Sequence, residues 1–190
     1  LSGAYQPDAG AEILIDGQKV SITDPIAAKR LGVSIIYQEL SLAPNLSVAE
    51  NIGFDRHLGK PFGLAERASL ARLAATALGR IGVTLDPWRK VGTLPIAQRQ
   101  LVAIGRALAA DARLVVMDEP TASLTRTEVD RLLGVTRQLA GEGLCIVFVS
   151  HRLDEIRRIA DRVTVLRDGR RIGTFDAAAV DAARLAELMT

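Results

Sequence analysis

Two adjacent carboxylates, Asp118 and Glu119, close the apolar run Leu114-Val115-Val116-Met117 and are followed at once by Pro120. Four apolar residues bounded by charge read as a strand buried on both faces. Pro120 cannot extend that strand, so the acids stand at its C-terminal end, where open parallel sheets place their ligands. Two acids there suit a Mg²⁺-nucleotide site, with Asp118 helping to hold the metal and Glu119 polarising an attacking water. A second apolar run, Leu144 to Val149, ends in Ser150 and His151. A neutral imidazole at that end can hydrogen-bond a γ-phosphate or hold the water of Glu119. Gln38 leaves a third strand-like run, Val33 to Ile36. Its amide offers an oxygen to the metal and an NH₂ to water or phosphate. Taken singly, each residue is also what any strand end carries: a solvated acid, a surface Gln, a lone structural His.

The elements that must position these groups follow from spacing. Ile13-Leu14-Ile15, Asp16-Gly17 and Lys19 to Ile22 read as a β-hairpin on a two-residue turn. Asp24 is the expected N-cap of a short helix from Pro25 to Arg30. Pro44 and Asn45 mark a loop, and a helix-rich insert runs from Ser47 to about residue 92, with Leu64 to Ile81 at helical spacing. Residues 97–110 form an amphipathic helix presenting Leu101, Ile104, Ala107 and Leu108. From there strand and helix alternate: 113–118, 126–140, 144–149, 153–160 and 162–167. Such alternation predicts parallel strands joined by right-handed crossovers. Asp168-Gly169 is a further turn, and 181–189 a terminal helix. Thr121 and Ser123 suit a turn or N-cap for the helix from Arg126. The arginines of 152–171 read as solvated faces, with Asp154 and Arg158 as an i,i+4 pair. His57 lies in an irregular segment and takes no role.

For 190 residues one domain, with room for a subdomain, is the expectation. Its residues are 48 % hydrophobic but only 4 % aromatic, so the core is aliphatic. The net charge of +2, without a basic run interleaved with aromatics, argues against nucleic acid as a partner. Cys145, inside an apolar run, reads as a buried core thiol. No apolar run reaches membrane-spanning length, so any link to a membrane passes through a partner.

Gln38, the segment Leu94 to Gln100, the acids 118–119, the loop Thr121 to Thr125 and His151 stand in an order that resembles the ATP-binding-cassette (ABC) ATPases. They match that family's Q-loop, signature, Walker B, D-loop and H-loop in turn, over essentially the whole chain. Ile36-Tyr37-Gln38-Glu39-Leu40, Ala49-Glu50-Asn51-Ile52 and Ser150 to Ile156 are most similar to the first cassette of sugar-importer ATPases that carry two cassettes in one polypeptide. The resemblance implies an α/β fold of the P-loop NTPase type: a mainly parallel sheet with flanking helices, an antiparallel β portion and an inserted helical subdomain. The core would be 1–46 and 93–190, and the subdomain 47–92. It also implies ATP and Mg²⁺ as ligands, with Glu119 as general base, His151 as γ-phosphate sensor, and Asp118 and Gln38 at the metal. Pro95, Ile96, Ala97, Gln98 and Ser123 fall at positions that meet nucleotide. The implied partners are membrane permease subunits, a second cassette and, through the permease, a periplasmic or extracellular sugar-binding protein. The implied location is the cytoplasmic face of a bacterial-type membrane, with residues 38–51 as the coupling region.

The chain departs from the family in three ways. No Gly-x-x-x-x-Gly-Lys-Ser/Thr occurs, and Leu1 opens in mid-phrase, so an N-terminal P-loop portion is expected to be missing. Such a stretch alone should not hydrolyse ATP, and its apolar edges should lie exposed or re-paired. Pro95-Ile96-Ala97 replaces the family's Ser-Gly-Gly, removing a hydroxyl and an N–H that would meet the γ-phosphate across a dimer. Thr125 stands where Asp is usual. The resulting expectation is an energy-coupling ATPase subunit of a carbohydrate importer. The alternative is a catalytically degenerate cassette with a regulatory or scaffolding role. A DNA-repair or translation ATPase would carry long coiled-coil or basic insertions, which are absent from the sequence.

Overall fold

Asp16 and Gly17 adopt φ of 51° and 75°, the left-handed pair that a tight hairpin turn requires. They fold Ile13–Ile15 (β1) back on Gln18–Val20 (β2) in the computed structural model, which describes residues 1–8, 10–57 and 64–189. Asp24 caps Pro25–Arg30 (α1) as expected, its carboxylate accepting from the N–H of Ile26 and of Ala27 at 2.8 Å each. Val33–Ile36 (β3) then leads through the Gln38 loop to Val48–Ile52 (α2). That helix starts on a capping box in which Glu50 accepts from Ser47 N at 2.7 Å and Oγ at 2.6 Å. The loop before it is held by the fully buried Asn51 amide, which bonds Ala43 N at 2.8 Å and Ala43 O at 3.0 Å. Phe54–His57 (α3) and Leu64–Gly79 (α4) follow, so His57 ends a short helix rather than an irregular stretch.

Ile96–Ala109 (α5) buries Leu101, Ile104, Ala107 and Leu108, as its amphipathic spacing predicts. At Gly105 α5 lies tightly against its neighbours: a Cβ there would stand 3.0 Å from Leu78 and 3.3 Å from Ile52. Leu114–Asp118 (β4), Arg126–Gly141 (α6) and Cys145–Val149 (β5) complete a parallel sheet of order β3-β4-β5. One continuous apolar core joins its inner face, including Val115 and Met117 at 1 % exposure, to α2, α4, α5 and α6.

Two expectations fail at this sheet. Its strands are not buried on both faces, because the covering helices lie on the Val115–Met117 side. The opposite face is covered at β3 by the hairpin and α1, through Ile22, Ala28 and Val33. At β5 that face is open: Val147 is 39 % and Val149 45 % exposed, and Cys145 is exposed rather than a core thiol.

Leu153–Ile159 (α7) precedes Arg162–Arg167 (β6), which does not join the parallel sheet either. Asp168 and Gly169, at φ of 50° and 72°, turn it directly into Arg170–Asp176 (β7) as an antiparallel ribbon. A two-residue turn with both left-handed dihedrals already met makes local pairing cheaper than a crossover. The ribbon has its own small core of Val163, Val165, Val180 and Leu185, closed by α7 and Ala182–Met189 (α8). Among the described residues no helix is long and apolar enough to cross a membrane.

Candidate functional site

The register brings three strand ends together. Ile36 pairs with Met117, and Asp118 with Val149. Gln38, the acids 118–119 and Ser150-His151 therefore leave the same C-terminal edge of the sheet, on adjacent strands. Glu119 extends the ladder by donating its N–H to Val149 O at 3.0 Å, then turns the chain with φ +43°. A left-handed glutamate is uncommon and marks a position fixed by its surroundings.

The result of that turn is a direct contact: His151 Nδ1 lies 2.9 Å from Glu119 Oε1. The histidine side chain is 66 % exposed and the glutamate 32 %, so the pair opens to solvent and to any ligand above the edge. An ionised carboxylate only accepts, so Nδ1 carries the hydrogen. A neutral ring then presents Nε2 as a bare acceptor, and only the imidazolium has a second N–H. A neutral His151 can therefore steady Glu119, but it cannot at the same time donate to a phosphate. Donation requires a second proton on the ring, or release from Glu119.

Asp118 is half-buried at the end of β4, and its carboxylate makes no hydrogen bond among the described residues. No cluster of three or more His, Cys, Asp or Glu that could hold a metal exists among those residues. This donor set fits Mg²⁺, which typically uses one or two carboxylates and fills its octahedron with water and phosphate oxygens. Gln38 is exposed in the loop that follows the adjacent strand β3.

The other predicted nucleotide residues lie elsewhere on the chain. Pro95 is the N-cap of α5 and makes no side-chain cap bond, while Ile96, at 36 % exposure, begins the helix. Pro95, Ala97 and Gln98 line a separate cleft of about 150 Å³ with Leu124, Glu128 and Arg131, and Gln98 Oε1 is buried without a partner. Among the described residues no side-chain hydrogen bond ties this segment to Asp118, Glu119 or His151. Ser123 is exposed on the loop between β4 and α6 and caps nothing. The cap is Thr125, whose N and Oγ1 donate to Glu128 at 2.9 and 2.8 Å. Thr125-x-x-Glu128 is the capping-box pattern, so this role was legible in the sequence. Thr121 is buried and donates to Glu155 at 2.6 Å. Arg158 pairs with Asp130 across to α6 at 2.7 Å, not with Asp154. The tertiary partner wins because α7 packs against α6 there.

A second charged cluster braces the segment after Gln38. Asp55 accepts from Lys29 Nζ at 2.7 Å and from Arg106 Nη2 at 3.2 Å, and Arg106 Nη1 donates to Ser41 O at 3.0 Å. Burial raises the pKa of Asp55, but the bonds from Lys29 and Arg106 outweigh it and hold the carboxyl below its ordinary value.

The ABC transporter family model matches residues 1–122. Over 100 % of its length the chain is 50 % identical to "Ribose import ATP-binding protein RbsA 1" of Burkholderia ambifaria, covering 37 % of that protein. It is 52 % identical to the RbsA protein of Burkholderia pseudomallei, again covering 37 % of it. With RbsA 1 of Rubrobacter xylanophilus it shares 49 % identity over 93 % of the chain and 35 % of that protein. The chain thus spans little more than a third of these curated relatives. Among solved structures, MJ1267, an ATP-binding cassette of an ABC transporter, superposes with a TM-score of 0.81 at 21 % identity, over 98 % of this chain and 79 % of that one. The cbiO1 protein of Clostridium perfringens gives 0.79 at 22 %, over 97 % and 73 %.

Proposed function

Since the chain belongs to the ABC transporter family, we propose that it is the nucleotide-handling part of an importer's energy-coupling ATPase, with a carbohydrate, ribose in the named relatives, as the cargo. The observation that carries this reading is the 2.9 Å contact between Glu119 and His151 at the edge that also bears Asp118 and Gln38. In it Glu119 accepts a proton from, or orients, the water that attacks the γ-phosphate. His151 holds the Glu119 carboxylate through Nδ1–H, so its neutral ring steadies the base and does not donate to phosphate. Asp118 and the Gln38 amide oxygen are the groups that would hold Mg²⁺. When bound, that ion neutralises charge on the β- and γ-phosphate oxygens. Ser123, on the loop after Glu119, faces solvent where a second cassette would bring its nucleotide.

Residues 1–46 and 93–190 form the cassette core in this reading, and 47–92 the helical subdomain that meets the membrane permease. A sugar-binding protein outside the membrane engages through that permease, and the ATPase sits at the cytoplasmic face. Nothing in the charge pattern calls for nucleic acid.

A second reading, a cassette whose signature is silent, is favoured by one observation. Pro95, with neither N–H nor hydroxyl, occupies the N-cap of α5. The composite site served by this helix would bind ATP while hydrolysing it slowly. Calorimetry and turnover on the full-length protein test both readings. The ATPase reading expects MgATP binding, retained in Glu119→Gln with turnover lost. Absence of binding in both proteins sinks the ATPase reading, and binding without turnover in the unsubstituted protein favours the silent cassette.

A further inference from the structure

Glu155 has no part in the chemistry above, yet at 5 % exposure it is the one charged side chain among the buried described residues. A carboxylate withdrawn from water is costly unless donors replace the water. It has three: Thr121 Oγ1 at 2.6 Å, Ser150 Oγ at 3.4 Å and Arg152 Nη1 at 3.3 Å. Ser150 Oγ in turn accepts from Arg152 N at 3.0 Å.

The identity of those donors gives the group its meaning. Thr121 lies two residues beyond Glu119, while Ser150 and Arg152 flank His151 on either side. One buried carboxylate therefore grips the loop that carries the glutamate and the turn that carries the histidine. Beyond the β4–β5 ladder, the hydrogen bonds between these loops among the described residues are Glu119 N–H to Val149 O and the Glu119–His151 contact itself. Both reacting side chains are open to solvent, and Glu119 sits in a sparsely populated backbone conformation. Something behind them must over-determine their separation.

We propose that Glu155 is a positioning residue, setting the distance and orientation of Glu119 and His151 by holding Thr121, Ser150 and Arg152 at once. At 5 % exposure it acts through those three residues rather than on the nucleotide itself. The proposal rests on Glu119 and His151 being the hydrolytic pair, and it adds a structural element behind them that responds to substitution on either loop.

The test uses the full-length protein with ¹⁵N-labelled histidine, the His151 signals being assigned by their loss in His151→Asn. Three variants are compared: Glu155→Gln, which puts an NH₂ among donors, Thr121→Val, which removes one donor, and Thr121→Ser, which keeps it. The unsubstituted protein and Thr121→Ser are expected to show a ring protonated and hydrogen-bonded at Nδ1, and Glu155→Gln and Thr121→Val to lose that signature. A misplacement of this kind lowers kcat about 10- to 100-fold, and KM for MgATP should stay within about twofold because uniform binding is untouched. A His151 signature unchanged in Glu155→Gln and Thr121→Val overturns the proposal, as does a Thr121→Ser variant no better than Thr121→Val. If Glu155→Gln does not fold, the Thr121 pair decides alone. If the unsubstituted protein does not hydrolyse ATP, the ATPase reading fails, while the ring signature still decides the role of Glu155.

Discussion

At Pro95 the helix α5 begins on a residue that has no N–H to offer and makes no cap bond. A serine there would supply both an N–H and a hydroxyl at a helix N-terminus, the two things an incoming phosphate uses. Pro95→Ser in the full-length protein is therefore expected to raise kcat for ATP hydrolysis by about 100-fold or more, since each donor aimed at developing charge is worth about 100- to 1,000-fold. Steady-state phosphate release checks this, and an unchanged or lower rate would show that the signature is not what limits turnover. At this scale the sequence was most readable where chemistry sits at strand ends. Glu119 and His151 were marked by what surrounds them in the chain, an apolar run before and a break after. The bond from Thr121 to Glu155 was not, because it joins residues 34 positions apart and depends on how α7 packs behind the loop. Nor was the direction of the His151 hydrogen, which follows only from its contact with an acceptor.

Hairpins and most helix starts followed from local rules, although the cap of α6 is Thr125 and not the expected Thr121 or Ser123, and other departures arose where a tertiary partner competed. Thr125 and Glu128 close a box at the start of α6 that costs about 1 kcal/mol to lose, so Thr125→Ala should lower the urea midpoint accordingly with an unchanged slope. β6 shows the opposite case. Alternating strands and helices predicted a parallel neighbour, but the turn at Asp168-Gly169 pairs it with β7 instead. Across elements, Asp55 ties α3 to Lys29 of α1 and Arg106 of α5. Its folded pKa is depressed, so its contribution is fully present above the unfolded value of about 3.9 and is lost as pH falls through the lower folded value. The stability gap between the unsubstituted protein and Asp55→Asn should thus be constant from about pH 7 to 5 and narrow below about pH 4. Urea unfolding at several pH values reads it, and a gap that persists undiminished at pH 3 would place the acid sensitivity elsewhere.

On the scale of the whole molecule, the sheet is unevenly covered. Apolar residues in an unbroken run cannot reveal which side a helix will shield, and that is why Cys145 looked buried from the sequence. In the fold, α5 and α6 shield one face, the hairpin and α1 shield the other as far as β3, and the outward row of β5 remains open. Edge strands that present apolar, uncharged rows are prone to pair with other chains. Two consequences can be measured on the 190-residue chain. The Cys145 thiol should react with a disulfide reagent in the absence of denaturant, at a rate near that of the unfolded chain, because its side chain already lies in water. Val147→Thr with Val149→Thr should reduce hydrophobic-dye binding and slow aggregation, while stability changes by less than about 1 kcal/mol, since the two side chains bury little. Reaction of Cys145 only after unfolding, or a loss of several kcal/mol from the threonine pair, would mean that the outward row is covered in solution after all, and that chains already associate through β5.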